Sequence, residues 1–95
     1  MGATVHAVVT AGGAMTARRR LFVVEALDAA DVFLRVLGIV AVQQARLSGA
    51  TLDGREGRVV ARLEIEGLND ERADYLRRRL AQLHLVTAVS MGWRS

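Results

Sequence analysis

Two histidines, His6 and His84, are the only imidazoles in a chain of 95 residues, and cysteine is absent. Without thiols there are no disulfides, no thiolate metal sites and no thiol catalysis. Neither histidine belongs to an H-x-x-x-H spacing that could hold zinc. His84 falls at the end of a helical stretch, where a partly protonated imidazole suits the negative end of the helix dipole. Thr87 is close to it in sequence, yet no acid completes a nucleophilic triad. The nine glycines form neither G-x-G-x-x-G nor a P-loop. These residues supply no nucleophile, no paired general base and no phosphate cradle. The chain is therefore read as a non-enzyme that holds no metal and no cofactor of its own.

The remaining reactive-looking groups are arginines. All 13 basic residues are arginine, and two triplets stand out, Arg18–Arg20 and Arg77–Arg79. Together they suggest an alternative role as a basic nucleic-acid-binding module. Ten acids nearly balance the arginines, the charges are mixed along the chain, and aromatics make up 4%. That composition makes nucleic acid an unlikely partner. The Arg77–Arg79 triplet reads more simply as dipole compensation near a helix end.

A membrane is excluded on similar grounds. The most apolar window, Val32 to Val42, contains Arg35 and is far short of about 20 residues. Arg18–Arg20 follow a weakly apolar stretch instead of preceding it, unlike a signal peptide. His6 stands where a myristoylated Met-Gly start needs Ser or Thr. A cytoplasmic location is expected.

Binding is left, and the elements decide what is presented for it. Residues 1–17 are small and bland and read as a flexible N-terminal tail, although Val5, Ala7 and Val9 alternate as a short strand would. The domain proper is expected over 18–95. Leu21-Phe22-Val23-Val24 reads as a buried strand. Asp28 is placed as the N-cap of a helix, with Leu27 and Val32 as its hydrophobic staple. That helix carries Val32, Phe33, Val36, Leu37, Ile39 and Val40, a wider apolar stripe than one sheet face needs. Arg46 to Leu52 is a second strand, Asp53 to Gly57 a turn, and Arg58 to Glu66 a third strand of period two. Asn69 caps a second helix carrying Ala73, Leu76, Leu80 and Leu83. A last strand spans Leu85 to about Met91, with Trp93 just beyond it. The order βαββαβ with right-handed crossovers predicts an α+β, ferredoxin-like sandwich: a four-stranded antiparallel sheet with two helices on one face.

The run from Asp28 to Gly38, DAADVFLRVLG, resembles the start of the first helix of an ACT domain, D-x-P-G-V-L-x-R-V-L-G. It is most similar to that of the small, regulatory subunit of acetolactate synthase. Val42 to Leu52 lines up with the family's R-R-G-F-N-I-x-S-L stretch, and Leu80 to Val89 with its closing L-x-x-L-x-x-V-x-x-V. The resemblance implies an amino-acid-binding regulatory protein of branched-chain amino-acid biosynthesis. It implies a homodimer through a sheet edge or the first helix, contact with a larger, thiamine-diphosphate-dependent catalytic subunit, and a branched-chain amino acid as effector. Effector contacts would fall where the first strand–helix loop of one subunit, with Asp28, Ala30, Asp31, Val32 and Phe33, meets the second strand of the other, with Gln44, Arg46 and Leu47.

Both hallmark positions are altered here. The family's Pro-Gly pair falls on Ala30-Asp31, and its Gly and Asn fall on Gln44 and Arg46. Asp31 sets a negative charge where a ligand carboxylate would dock. Two unit charges about 4 Å apart interact by about 1 kcal/mol in water and about 4 kcal/mol at an effective dielectric of 20. The effector site is therefore expected to be degenerate, with Asp31 and Arg46 pairing in place of a zwitterion. The plainer alternative makes Asp31 a first-turn acid favouring the dipole and Arg46 a solvated edge residue. Leu34, Ala41 and Val42 lie off the main stripe and are expected to be exposed, as at an interface.

Overall fold

The computed structural model describes residues 5–10, 19–27, 31–43 and 45–94. Seven elements follow one another: β1 (Val5–Thr10), β2 (Arg19–Leu27), α1 (Val32–Ala41), β3 (Arg46–Arg55), β4 (Arg58–Glu66), α2 (Asp70–Ala81) and β5 (Val86–Arg94). The strands form one sheet in the order β1-β3-β4-β2-β5, with every neighbouring pair antiparallel. From β2 onward this is the expected βαββαβ sandwich. Within the stretch expected as a tail, Val5–Thr10 forms a strand along β3. Residues 1–4 and 11–18 lie outside the described residues.

Period-two patterning sorts the sheet into two faces. Phe22, Val24 and Ala26 of β2 and Val59, Ala61, Leu63 and Ile65 of β4 are buried. Phe22, Val24, Ala61, Leu63 and Ile65 meet Val36 and Val40 of α1 and Ala73, Leu76 and Leu80 of α2 in one core. Arg62, Glu64 and Glu66 alternate with these core positions, as expected of the opposite face. Burial of the nine Val, Leu, Ile and Phe side chains of this core, each contributing about 1.5–3 kcal/mol, offsets chain entropy in a domain this small.

The β3–β4 hairpin is tighter than the glycine-rich stretch suggests. Both strands continue until Arg55 pairs with Arg58, leaving only Glu56 and Gly57 in the turn. Both have positive φ, 52° and 79°, as a two-residue turn matched to strand twist requires. Gly49 marks a bulge: the register shifts between Leu47 and Gly49, and the buried Ser48 hydroxyl donates to the Glu64 carbonyl at 3.0 Å.

The two helix starts differ. Asn69 caps α2 as expected, its Oδ1 accepting the Arg72 N–H at 2.8 Å. Replacing it, Asn69→Ala, should lower stability by about 1 kcal/mol in urea unfolding. The first helix begins later than expected, at Val32, with Asp31 and not Asp28 at the N-cap. Asp28 lies outside the described residues. The expected staple is lost with that shift, because Val32 becomes the first helical residue instead of the fourth. The Asp31 carboxylate makes no capping bond, because Arg35 one turn on takes it as an ion-pair partner. Trp93 also differs from expectation: it lies inside β5, opposite Arg20 of β2, so two strand aromatics exist, not one.

Candidate functional site

The start of α1 is where the expected effector residues can be inspected. The Asp31 carbonyl accepts the Arg35 N–H at 3.0 Å, the first backbone bond of the helix. Its carboxylate accepts a second bond from Arg35 Nε at 2.7 Å. This hydrogen bond and the guanidinium charge hold the Asp31 carboxyl below the usual carboxylate range. Next to the pair lies a shallow cavity of about 110 Å³, lined by Asp31, Val32, Arg35, His84 and Leu85. Leu85 reaches it with φ of 78°, an unfavourable left-handed conformation for a branched side chain. Its carbonyl accepts the N–H of Leu27 at 2.9 Å, tying the end of β2 to the turn before β5.

The expected site residues divide into groups. Asp31 and Val32 border this cavity, with Val32 3% exposed. Phe33 and Leu47 pack against the hydrophobic core. Arg46 pairs in register with Glu66, whereas β2 ends with Leu27 opposite Arg58, at the other end of the sheet. Ten residues of helix, about 15 Å, separate Asp31 from the approach to Arg46. Within one chain the two charges are not brought together, and Asp31 takes Arg35 instead. Ala30 and Gln44 lie outside the described residues, with Asp28.

Two residues unsuspected as site residues join Asp31 here. Arg35 was legible as an i,i+4 partner. His84 was read as the end of the second helix, yet α2 stops at Ala81 and His84 lies in the turn beyond it, exposed. Only the fold brings that turn to the start of α1.

A second cavity of about 130 Å³ opens at the same end of β2, bordered by Glu25, Leu27, Arg58, Val60 and Thr87. The β2–β5 register shifts here, and the Thr87 hydroxyl donates to the Glu25 carbonyl at 3.1 Å. Neither cavity sets a nucleophile beside a base. Among the described residues no group of three or more His, Asp or Glu side chains could hold a metal ion, and no helix is long and apolar enough to cross a membrane.

Of the two arginine triplets, Arg19, Arg20, Arg77 and Arg78 have partners within the domain, and Arg18 lies outside the described residues. Arg19 pairs with Glu64 at 3.1 Å and Glu66 at 3.5 Å. Arg20 is 6% exposed; it donates to the Leu68 carbonyl and to Asp70, and its guanidinium lies 4.0 Å from the centre of the Trp93 ring. Arg77 and Arg78 both hold Asp74, and the Arg77 hydrogen bond is the main cause of a lowered Asp74 pKa. On α1, by contrast, Leu34 is 67% exposed and Val42, just past its end, 72%. Ala41 is exposed with them.

No protein-family model matches the sequence, and no curated protein does. Solved structures do match the fold. The crystal structure of the ACT domain from GTP pyrophosphokinase of Chlorobium tepidum superposes with a TM-score of 0.70 at 15% identity, covering 79% of this chain and 96% of that one. The solution structure of the same domain gives 0.68 at 15% identity, over 79% and 84% of the two chains. The C-terminal domain of the MgtC protein from Mycobacterium tuberculosis gives 0.68 at 13% identity, over 87% and 94%. At such identities the likeness establishes architecture alone, the βαββαβ sandwich that this chain shares with the ACT domain of GTP pyrophosphokinase.

Proposed function

We propose that the chain is a non-catalytic regulatory protein, similar in role to the small subunit of acetolactate synthase in branched-chain amino-acid biosynthesis. It acts in the cytoplasm by dimerising and by docking on a larger, thiamine-diphosphate-dependent subunit. The observation that carries this reading is the outer face of α1. Ten residues, VFLRVLGIVA, include one polar side chain, Arg35, and that one is tied back to Asp31. A helix apolar on all sides belongs in an interior, and the surface of another protein would supply the cover that the described residues do not. The subunit then regulates by favouring one conformation of its partner. The nucleic-acid reading is weaker, because most arginines of the two triplets already have acidic or carbonyl partners.

The effector position is filled by the chain's own charges. Arg35 on the exposed Asp31 carboxylate weakens, without abolishing, the repulsion facing an incoming ligand carboxylate. Calorimetry with valine, leucine and isoleucine should show no micromolar binding to the wild-type chain. Asp31→Gly should tighten any weak binding by up to about tenfold. Micromolar binding of one of the three to the unaltered chain would refute the filled site.

A further inference from the structure

We infer that α1 opens as a unit by local unfolding while the sheet and α2 stay folded, and that the exposed Gly38 helps to set how often it opens. The opening is a property of the chain alone. Its use, as a docking surface that exists only while the helix is closed, rests on the reading proposed above. The two helices are built from opposite materials. Six of the ten residues of α1, namely Val32, Phe33, Val36, Gly38, Ile39 and Val40, are β-branched, aromatic or glycine, the types that lose most on entering a helix. In α2 only Asp70, Asp74 and Tyr75 are poor helix formers. The ends differ in the same sense. Asn69 caps α2, Asp70 and Glu71 occupy its first turn, and Arg78 and Arg79 its last. Asp74 braces it further by pairing with Arg77 and Arg78. By contrast α1 has no acid in its first turn and no base in its last, and Asp31 gives its carboxylate to Arg35 instead of to the helix N–H groups.

Tertiary packing does not make up the difference. α2 runs close along β5, and Arg20 ties its start to β2 through Asp70 and the Leu68 carbonyl. α1 has no comparably close run along any strand. It is held by the buried Val32, Val36 and Val40, while Leu34 and, just past its end, Val42 leave most of their apolar surface outside. Its first turn borders the 110 Å³ cavity and the strained Leu85, so side chains there lack packing partners on one side. The five strands hydrogen-bond to one another without a break, so their ladder can persist when α1 opens. Gly38 adds to the imbalance. Among the described residues, no atom outside the helix backbone and the two adjoining residues lies within 4 Å of a methyl group built there. Neither crowding nor a left-handed backbone calls for glycine at this position, and in an exposed helix interior glycine lowers stability. The closed helix presents Leu34, Ala41 and Val42 together; an open one has no such face. Opening withdraws the surface, and a partner bound to it holds the helix closed.

Hydrogen exchange on the whole chain, with no partner added, tests the inference. The amides of Val36, Leu37 and Val40 should exchange at least about 100-fold faster than those of Ala61 and Leu63 in β4, and with little dependence on urea. Gly38→Ala should slow the α1 amides by about two- to fivefold. Asn69→Ala should speed the β4 amides by about fivefold, because they exchange through global unfolding, and leave the α1 amides unchanged, because α2 is folded when α1 opens. α1 amides that share the β4 rate and urea slope, or that speed up with β4 in Asn69→Ala, would mean that the helix opens only with the whole domain and would overturn the inference. So would Gly38→Ala with no slowing at α1. None of these measurements involves a partner, so the docking role of α1 stands or falls separately.

Discussion

Phe22→Ala should lower stability by about 3–5 kcal/mol, the range for emptying an aromatic site in a core. Phe22 is the largest fully buried side chain, at 0% exposure. It lies midway along β2, in register with Leu63 of β4 on one side and Met91 of β5 on the other. Those two strands and both helices contribute to the same core, so no neighbour can move into the void without opening another contact. Small domains are stable by about 5–15 kcal/mol in total, so one substitution removes a large share. Urea unfolding should show a much lower midpoint with an unchanged slope. Val23→Ala, next along the strand but on the opposite face and half-buried, should cost far less. If Phe22→Ala stayed within 1 kcal/mol of the wild type, this core assignment would be wrong.

The second large effect is expected at Arg20. Its side chain is on the core face, in the same row as Phe22, Val24 and Ala26, and is nearly as buried as they are. It is tolerated there because the guanidinium donates to the Leu68 carbonyl at 3.4 Å and to Asp70 at the start of α2, while stacking on Trp93. Arg20→Ala leaves the Leu68 carbonyl without its donor and removes the guanidinium that stacks on the Trp93 ring. A cost of about 2–3 kcal/mol follows. Asp70→Asn should cost less than about 1 kcal/mol, since that carboxylate is 94% exposed. Arg20→Lys cannot fork and stack at once, and should recover less than half of the loss. Equal losses from Arg20→Ala and Asp70→Asn would show that the ion pair, and not the buried fork, matters.

Arg20 also shows where reading the sequence reaches its limit. Next to Arg18 and Arg19 it resembles a member of a solvated basic run. Only the register of β2 shows that it points inward, and its partners are 48 to 50 residues further along. Local signals served better. Leu21–Val24, the alternation over Arg58–Glu66, the Asn69 cap and the Leu76–Leu80 spacing all lie where expected, because each depends on neighbours within a few residues. Glu56-Gly57 was blurred by the surrounding glycines, since a strand can contain Gly54 when its partner holds the ladder. The candidate site was legible in part. Asp31 stands out as a misplaced charge, but the resemblance points its pairing to Arg46 and passes over Arg35 at the i,i+4 spacing. His84 and Leu85 come to the same cavity only through the α2–β5 turn. Within one chain Arg46 lies at the other end of the sheet from the start of α1, as a site shared between two subunits would have it.

The claim that this fold holds on to another protein without reacting can be tested in one titration. The purified chain would be added to the catalytic subunit of acetolactate synthase from the same source, and pyruvate turnover followed. The account predicts that turnover changes and then levels off at a fixed subunit ratio, and that Leu34→Glu, on the outer face of α1, abolishes the change. Turnover that stays constant up to a large excess of the chain would contradict it.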